Sequence, residues 1–190
     1  MPTPRKPVLE SRWIAGGAPV AGLNISKVKF LVVEDNQFMS ALVRQILRTL
    51  GVLQVDEAKD GAEAFQRMRE FGPDIVLLDW QMAPMDGLEF AKLVRTSPES
   101  PNRFIPLIMI TAHSAISRVT EARDAGVNEI LAKPIAALNL FTRIRAVIER
   151  PRLFIDAPTY FGPDRRRRVD PRYSGDERRA APKPENALVA

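Results

Sequence analysis

Between residues 27 and 150, short apolar runs alternate with stretches of helical periodicity. Residues 28–33 form the first run. Met39, Leu42, Val43, Ile46, Leu47 and Leu50 follow at steps that place them on one face of a helix. Residues 53–58 predict a second strand, and Ala62, Phe65 and Met68 a helical stripe ending near Gly72-Pro73. Residues 75–78 are a solid apolar strand, and 88–94 predict the third helix. Residues 105–110 predict the fourth strand, and 117–125 a fourth helix closed by Gly126. The pattern ends with a strand over 127–131 and a helix over 138–148. The inner face of that helix carries Leu138, Phe141, Ile144, Val147 and Ile148.

Five strands alternating with five helices predict an α/β fold with a parallel sheet. Helices on both faces explain why three strands are solid apolar runs and do not alternate. Right-handed crossovers then lead to a three-layer, doubly wound arrangement.

The flanks differ in character. Residues 1–26 read as a flexible arm, broken by Pro2, Pro4, Pro7, Gly16, Gly17, Pro19 and Gly22. Residues 151–190 carry six prolines among arginines and predict a mostly disordered tail, too short for a second core. The expected organisation is therefore one domain over 27–150 between two extensions. The net charge of +5 belongs to these flanks, +2 in the arm and +3 in the tail, while the domain is balanced. The chain has no cysteine, which excludes disulfides, thiolate metal sites and cysteine nucleophiles. The longest apolar runs fall far short of a membrane span, and no secretory signal is visible, so a cytoplasmic protein is expected.

Candidate chemistry lies at the C-terminal ends of the predicted strands. The first ends in Glu34-Asp35, the third in Asp79, the fourth in Thr111 and the fifth in Lys133-Pro134. In a parallel doubly wound sheet these ends share one edge, where ligands bind. Crowded carboxylates repel, and a hard divalent cation such as Mg2+ relieves that repulsion through oxygen ligands. A carboxylate can attack phosphorus to give an aspartyl phosphate, with an ammonium neutralising charge on the phosphoryl oxygens. A threonine hydroxyl can donate to those oxygens only in the modified form, which is what a switch requires.

The segments Val32-Val33-Glu34-Asp35-Asn36, Leu77-Leu78-Asp79-Trp80-Gln81-Met82, Met85-Asp86-Gly87-Leu88-Glu89, Ile110-Thr111-Ala112 and Ala132-Lys133-Pro134 carry a specific resemblance. Together they resemble the CheY-like receiver domain of bacterial two-component response regulators, over residues 27–150. The resemblance implies a flavodoxin-like sheet of order 2-1-3-4-5. It implies Asp79 as phosphoacceptor, Lys133 as the phosphate-pairing cation and Thr111 as the switch hydroxyl. It further implies Mg2+ held by Asp35 and Asp79, with Glu34 acting through water and the Gln81 backbone carbonyl completing the protein ligands. A cis peptide at Lys133-Pro134 is usual in the family. The implied partners are a histidine kinase or phosphotransfer protein and a downstream protein target, met through residues 115–125 and 138–149.

Three positions depart from the family pattern or stand open within it. Ile130 replaces the Tyr or Phe that the family often has three residues before the lysine, which puts the output step in question. Gln81 and His113 occupy positions that tune phosphate lifetime. His113 is the single histidine and no basis for a zinc site. Trp80 is read as surface packing beside the site, Met82 and Met85 as loop packing, and Asp86-Gly87 as a turn that starts a helix. A phosphatase-like hydrolase would need a second Asp two residues after the nucleophile, and that position is Gln81.

The tail, with Tyr160-Phe161-Gly162-Pro163-Asp164 and Arg165 to Arg168, leaves several readings open. It can be a solvated charge run, a segment that folds on a protein partner, or a grip on nucleic acid through phosphate contacts. Arg167, Asp170, Arg168 and Arg172 also resemble short patterns from cyclic di-GMP sites, so a cyclic dinucleotide is a further candidate.

Overall fold

The computed structural model describes residues 23–112, 116–165 and 187–189. Its central sheet is parallel, with strands in the order β2-β1-β3-β4-β5. These strands are β1 (Lys29–Val33), β2 (Gln54–Ala58), β3 (Ile75–Asp79), β4 (Leu107–Thr111) and β5 (Glu129–Ala132). The intervening helices are α1 (Gln37–Thr49), α2 (Gly61–Glu70), α3 (Gly87–Thr96), α4 (Ile116–Asp124) and α5 (Ala137–Glu149). All ten elements lie where the sequence pattern places them, and the expected flavodoxin-like order is the observed one.

Two apolar layers sandwich the sheet. Leu31, Val33, Val76, Leu78 and Met109 pack toward Ala64 and Met68 of α2 and Phe90 and Val94 of α3. Phe30, Val32, Leu77, Ile108 and Ile110 pack toward Val43 and Leu47 of α1 and Leu140 and Ile144 of α5. Every residue of β3 and β4 is buried, as strands covered on both faces require. Side-chain caps fix three helix starts. Asn36 accepts from the Phe38 and Met39 amides, Asp60 from Glu63, and Asp86 forms a capping box with Glu89.

Some face assignments shift. Leu138 is 69% exposed, and the inner face of α5 is Leu140, Phe141, Ile144 and Val147. Leu138 lies on the outer face of the first turn, whose inner face is carried by Leu140. Leu42 is likewise exposed while Val43 and Leu47 are buried. In α2 the buried residues are Gly61, Ala64 and Met68, with Ala62 turned outward.

The described structure extends into both flanks, of which residues 1–22 and 166–186 lie outside the described residues. Ile25 is buried in the core, and its carbonyl accepts a hydrogen bond from the Val28 amide, so the ordered fold begins before residue 27. The tail departs further, because β6 (Leu153–Ala157) and β7 (Tyr160–Pro163) form an antiparallel hairpin. β8 (Ala187–Val189) pairs with the other edge of β6. Proline content suggested disorder here, but Pro158 sits in the hairpin turn and Pro163 at a strand end, where neither disrupts the pairing. Phe154 and Phe161 bury themselves against Phe104, with ring centroids 5.2 and 5.3 Å from it. Aromatic burial of this kind outweighs the entropy that prolines and arginines would otherwise leave in the chain.

Candidate functional site

The C-terminal ends of β1, β3, β4 and β5 meet at one edge, and there the predicted groups converge. Asp79, the last residue of β3, is buried, and so are Glu34 and Thr111. Lys133 reaches in from the loop after β5. Its Nζ lies 2.8 Å from Asp79 Oδ1 and 3.6 Å from Glu34 Oε2. The Gln81 amide donates to Asp79 Oδ2 at 3.2 Å. The Asn36 amide donates to Glu34 Oε1 at 3.3 Å. Both Asp79 oxygens therefore have fixed partners.

Local backbone geometry holds these groups in place. The Trp80 amide donates to the Ile110 carbonyl, tying the end of β3 to β4. The Lys133 amide donates to the Thr111 carbonyl at 2.7 Å, and the Lys133-Pro134 peptide is cis. The Gly87 amide closes a loop onto the Trp80 carbonyl at 2.9 Å. A Cβ at Gly87 would come within 2.3 Å of the Asp79 carbonyl oxygen, so only glycine permits this approach.

Electrostatically the site is crowded with negative charge. Burial pushes the Glu34 carboxyl up from its ordinary range, and the neighbouring Asp79 charge adds to the rise, while Lys133 opposes it. Burial disfavours the Lys133 ammonium, yet its hydrogen bond to Asp79 and the charges of Asp79 and Glu34 together raise it above its usual value. One cation is thus shared between two buried carboxylates and leaves Glu34 incompletely compensated.

Asp35 lies at the exposed rim of this cluster, near enough for its charge to add to the rise at Glu34, and its Oδ2 accepts from the Ala83 amide at 3.2 Å. Among the described residues no three Asp, Glu, His or Cys groups are arranged to hold a metal ion. The donor set of carboxylate and carbonyl oxygens, with residual like-charge repulsion, nevertheless has the chemistry of a hard divalent cation site.

Several neighbours are placed differently from expectation. Trp80 is buried in the core between the sheet and the α2–α3 layer, so it does not lie on the surface. The Arg118 guanidinium of α4 lies over its ring, 5.3 Å from the centroid, a contact that nothing in the sequence signals. Met82 is buried and Met85 packs on the same cluster, as loop packing requires. Asp86 and Gly87 form the turn into α3. Ile130 is half-buried and packs on the α3–α4 side of the core. His113 lies outside the described residues, as do Arg167, Arg168, Asp170 and Arg172, on which the cyclic-dinucleotide reading rested.

Comparison with known proteins agrees with this geometry. Residues 30–145 match the family described as response regulator receiver domain. The chemotaxis protein CheY-3 of Vibrio cholerae is 34% identical over 123 residues, 65% of this chain and 93% of that protein. The chemotaxis protein CheY of Pseudomonas aeruginosa is 32% identical over 123 residues, 65% of this chain and 98% of that protein. Among solved structures, Vibrio cholerae CheY4 superposes with a TM-score of 0.57 at 28% identity, covering 63% of this chain and 98% of that one. A response regulator described as putative, from Chloroflexus aurantiacus, gives 0.59 at 30% identity, covering 65% of this chain and all of that one.

Proposed function

Because the chain belongs to the response regulator receiver domain family, we propose that it takes a phosphoryl group onto Asp79 from a histidine kinase or phosphotransfer protein. The observation that carries this reading is the ammonium of Lys133 held between Asp79 and Glu34. A carboxylate oxygen of Asp79 attacks the phosphorus of a phosphohistidine. The P–N bond breaks, its electron pair stays on the imidazole nitrogen, and an acyl phosphate remains on Asp79. Lys133 neutralises the phosphoryl oxygens, and the Thr111 hydroxyl donates to them in the modified form. Mg2+, held by Asp35, Asp79 and the Gln81 carbonyl with Glu34 acting through water, would supply further charge neutralisation.

The product is a signal and not a released molecule. Gln81 offers no acid two residues after the nucleophile, so the protein is not a turnover hydrolase. Its output is a phosphorylation-dependent contact with a protein target through α4, β5 and α5, in the cytoplasm. No helix among the described residues is long and apolar enough to cross a membrane. The test is intact-mass analysis after incubation with acetyl phosphate and magnesium. Wild-type protein should gain one phosphoryl group and Asp79→Asn none. An unchanged wild-type mass, under conditions that trap short-lived adducts, overturns the reading.

A further inference from the structure

The β6–β7 hairpin lies beyond residue 145, where the family match stops. It packs on α3 and on the turn between α4 and β5. Three layers of contact fix it there. On the α3 side, Phe154 lies against the Arg95 guanidinium, 5.1 Å from ring centroid to Cζ, and Phe161 lies under Arg103 at 3.9 Å. Arg95 is itself 1% exposed and donates to the Gly126 carbonyl at 3.0 Å. A Cβ on Gly162 would come within 3.0 Å of the Gly126 Cα, so the hairpin backbone rests directly on the turn that ends α4. Beyond the hairpin, Arg165 stacks on the Tyr160 ring at 4.0 Å and places its Nε 3.3 Å from Asp124 Oδ1, on the last residue of α4.

Among its described side chains α4 has two other anchors: Ala122, the only buried apolar one, and Arg118 over the Trp80 ring, while Val119 is exposed. α5, by comparison, buries Leu140, Phe141, Ile144 and Val147. Few buried contacts mean low local stability, so added anchors at one end shift the opening equilibrium of the whole helix. α4 is also the first element after Thr111. We propose that the hairpin is a brace built into the chain, which holds the C-terminal end of α4 against α3 and the sheet and so sets how readily that helix opens. This deepens the Asp79 reading, and rests on it, only in making α4 the element that responds.

Hydrogen exchange of the full-length, unmodified protein tests the brace. Arg165→Ala removes the Asp124 and Tyr160 contacts without touching a core residue. It should speed exchange of peptides covering α4 about threefold, the size of a partly exposed ion pair. Gly162→Ala, whose added methyl would meet the Tyr160 hydroxyl at 2.7 Å and the Gly126 Cα at 3.0 Å, crowds the hairpin against the turn after α4 and should speed them tenfold or more, about the effect of overpacking a tight contact. Peptides from β1 and β2 should exchange as in wild type in both variants. Faster exchange confined to the hairpin, or an equal rise in all peptides, overturns the proposal. Because the protein is unmodified, a failure of acetyl phosphate to label Asp79 would sink the phosphoacceptor reading and leave this result standing.

Discussion

Gly87 approaches Asp79 so closely that a single methyl group would lie 2.3 Å from the carbonyl oxygen of the aspartate and 3.1 Å from the Trp80 Cα. Both are backbone atoms and cannot swing aside. Gly87→Ala should therefore displace the end of β3 and cost about 1–3 kcal/mol, as overpacking a close contact does. Urea denaturation should show a lower midpoint with an unchanged slope. An unaltered midpoint would mean that the loop relaxes freely.

Among the described residues Lys133 is the one ammonium against Asp79 and Glu34. Lys133→Met should abolish labelling by acetyl phosphate while leaving the fold intact by circular dichroism. Lys133→Arg keeps the charge but not the compact point geometry, and should restore little. Labelling of the methionine variant at the wild-type rate would remove Lys133 from the chemistry.

Arg95 is a fully buried cation with three carbonyl acceptors: Gly126 O at 3.0 Å, Arg103 O at 2.7 Å and Asn128 Oδ1 at 3.0 Å. Burial pushes its guanidinium down to about 9, so it stays charged at neutral pH. Arg95→Met takes this donor from the Gly126 and Arg103 carbonyls, while Asn128 Oδ1 keeps the Leu107 amide, and should cost about 3 kcal/mol or more. Arg95→Lys should recover part of that, because one ammonium cannot serve three divergent carbonyls. Equal denaturation midpoints for methionine and wild type would contradict this.

Burial raises the Tyr160 phenol above its ordinary value, against the opposing pull of Arg165 and Arg95 and with a smaller contribution from Asp124. A folded pKa above the unfolded one means the docked hairpin favours the protonated phenol. The stabilisation is complete below about pH 10 and is lost as pH rises through the higher folded value. Tyrosinate absorbance should show Tyr160 titrating above the ordinary tyrosine value in the folded protein. Tyr160→Phe should flatten the alkaline loss of stability, at the expense of the hydrogen bond to the Pro163 carbonyl. A Tyr160 step at the ordinary tyrosine value would refute the assignment.

Much of the site was legible because its residues sit at strand ends. In a parallel sheet, chain direction alone brings Glu34, Asp79, Thr111 and Lys133 to one edge, whatever the side-chain details. Asp35 shows where that logic stops. Its place in sequence puts it beside the cluster, but its rotamer turns it to the Ala83 amide, and rotamers answer to neighbours that no linear pattern lists. Trp80 and Arg118 likewise meet only because the fold brings α4 beside the end of β3.

Apolar periodicity by itself determined the ten elements of the receiver domain and the layer order, because burial enforces a period of 3.6 in helices and solid runs in covered strands. Only tertiary structure decided the fate of the tail. Phe154 and Phe161 meet each other within the hairpin, ring centroids 5.7 Å apart, but become buried only against Phe104, Arg95 and Arg103. Composition counts prolines and charges along the chain. Docking depends on which surface that chain can reach, and this is a property of the assembled fold.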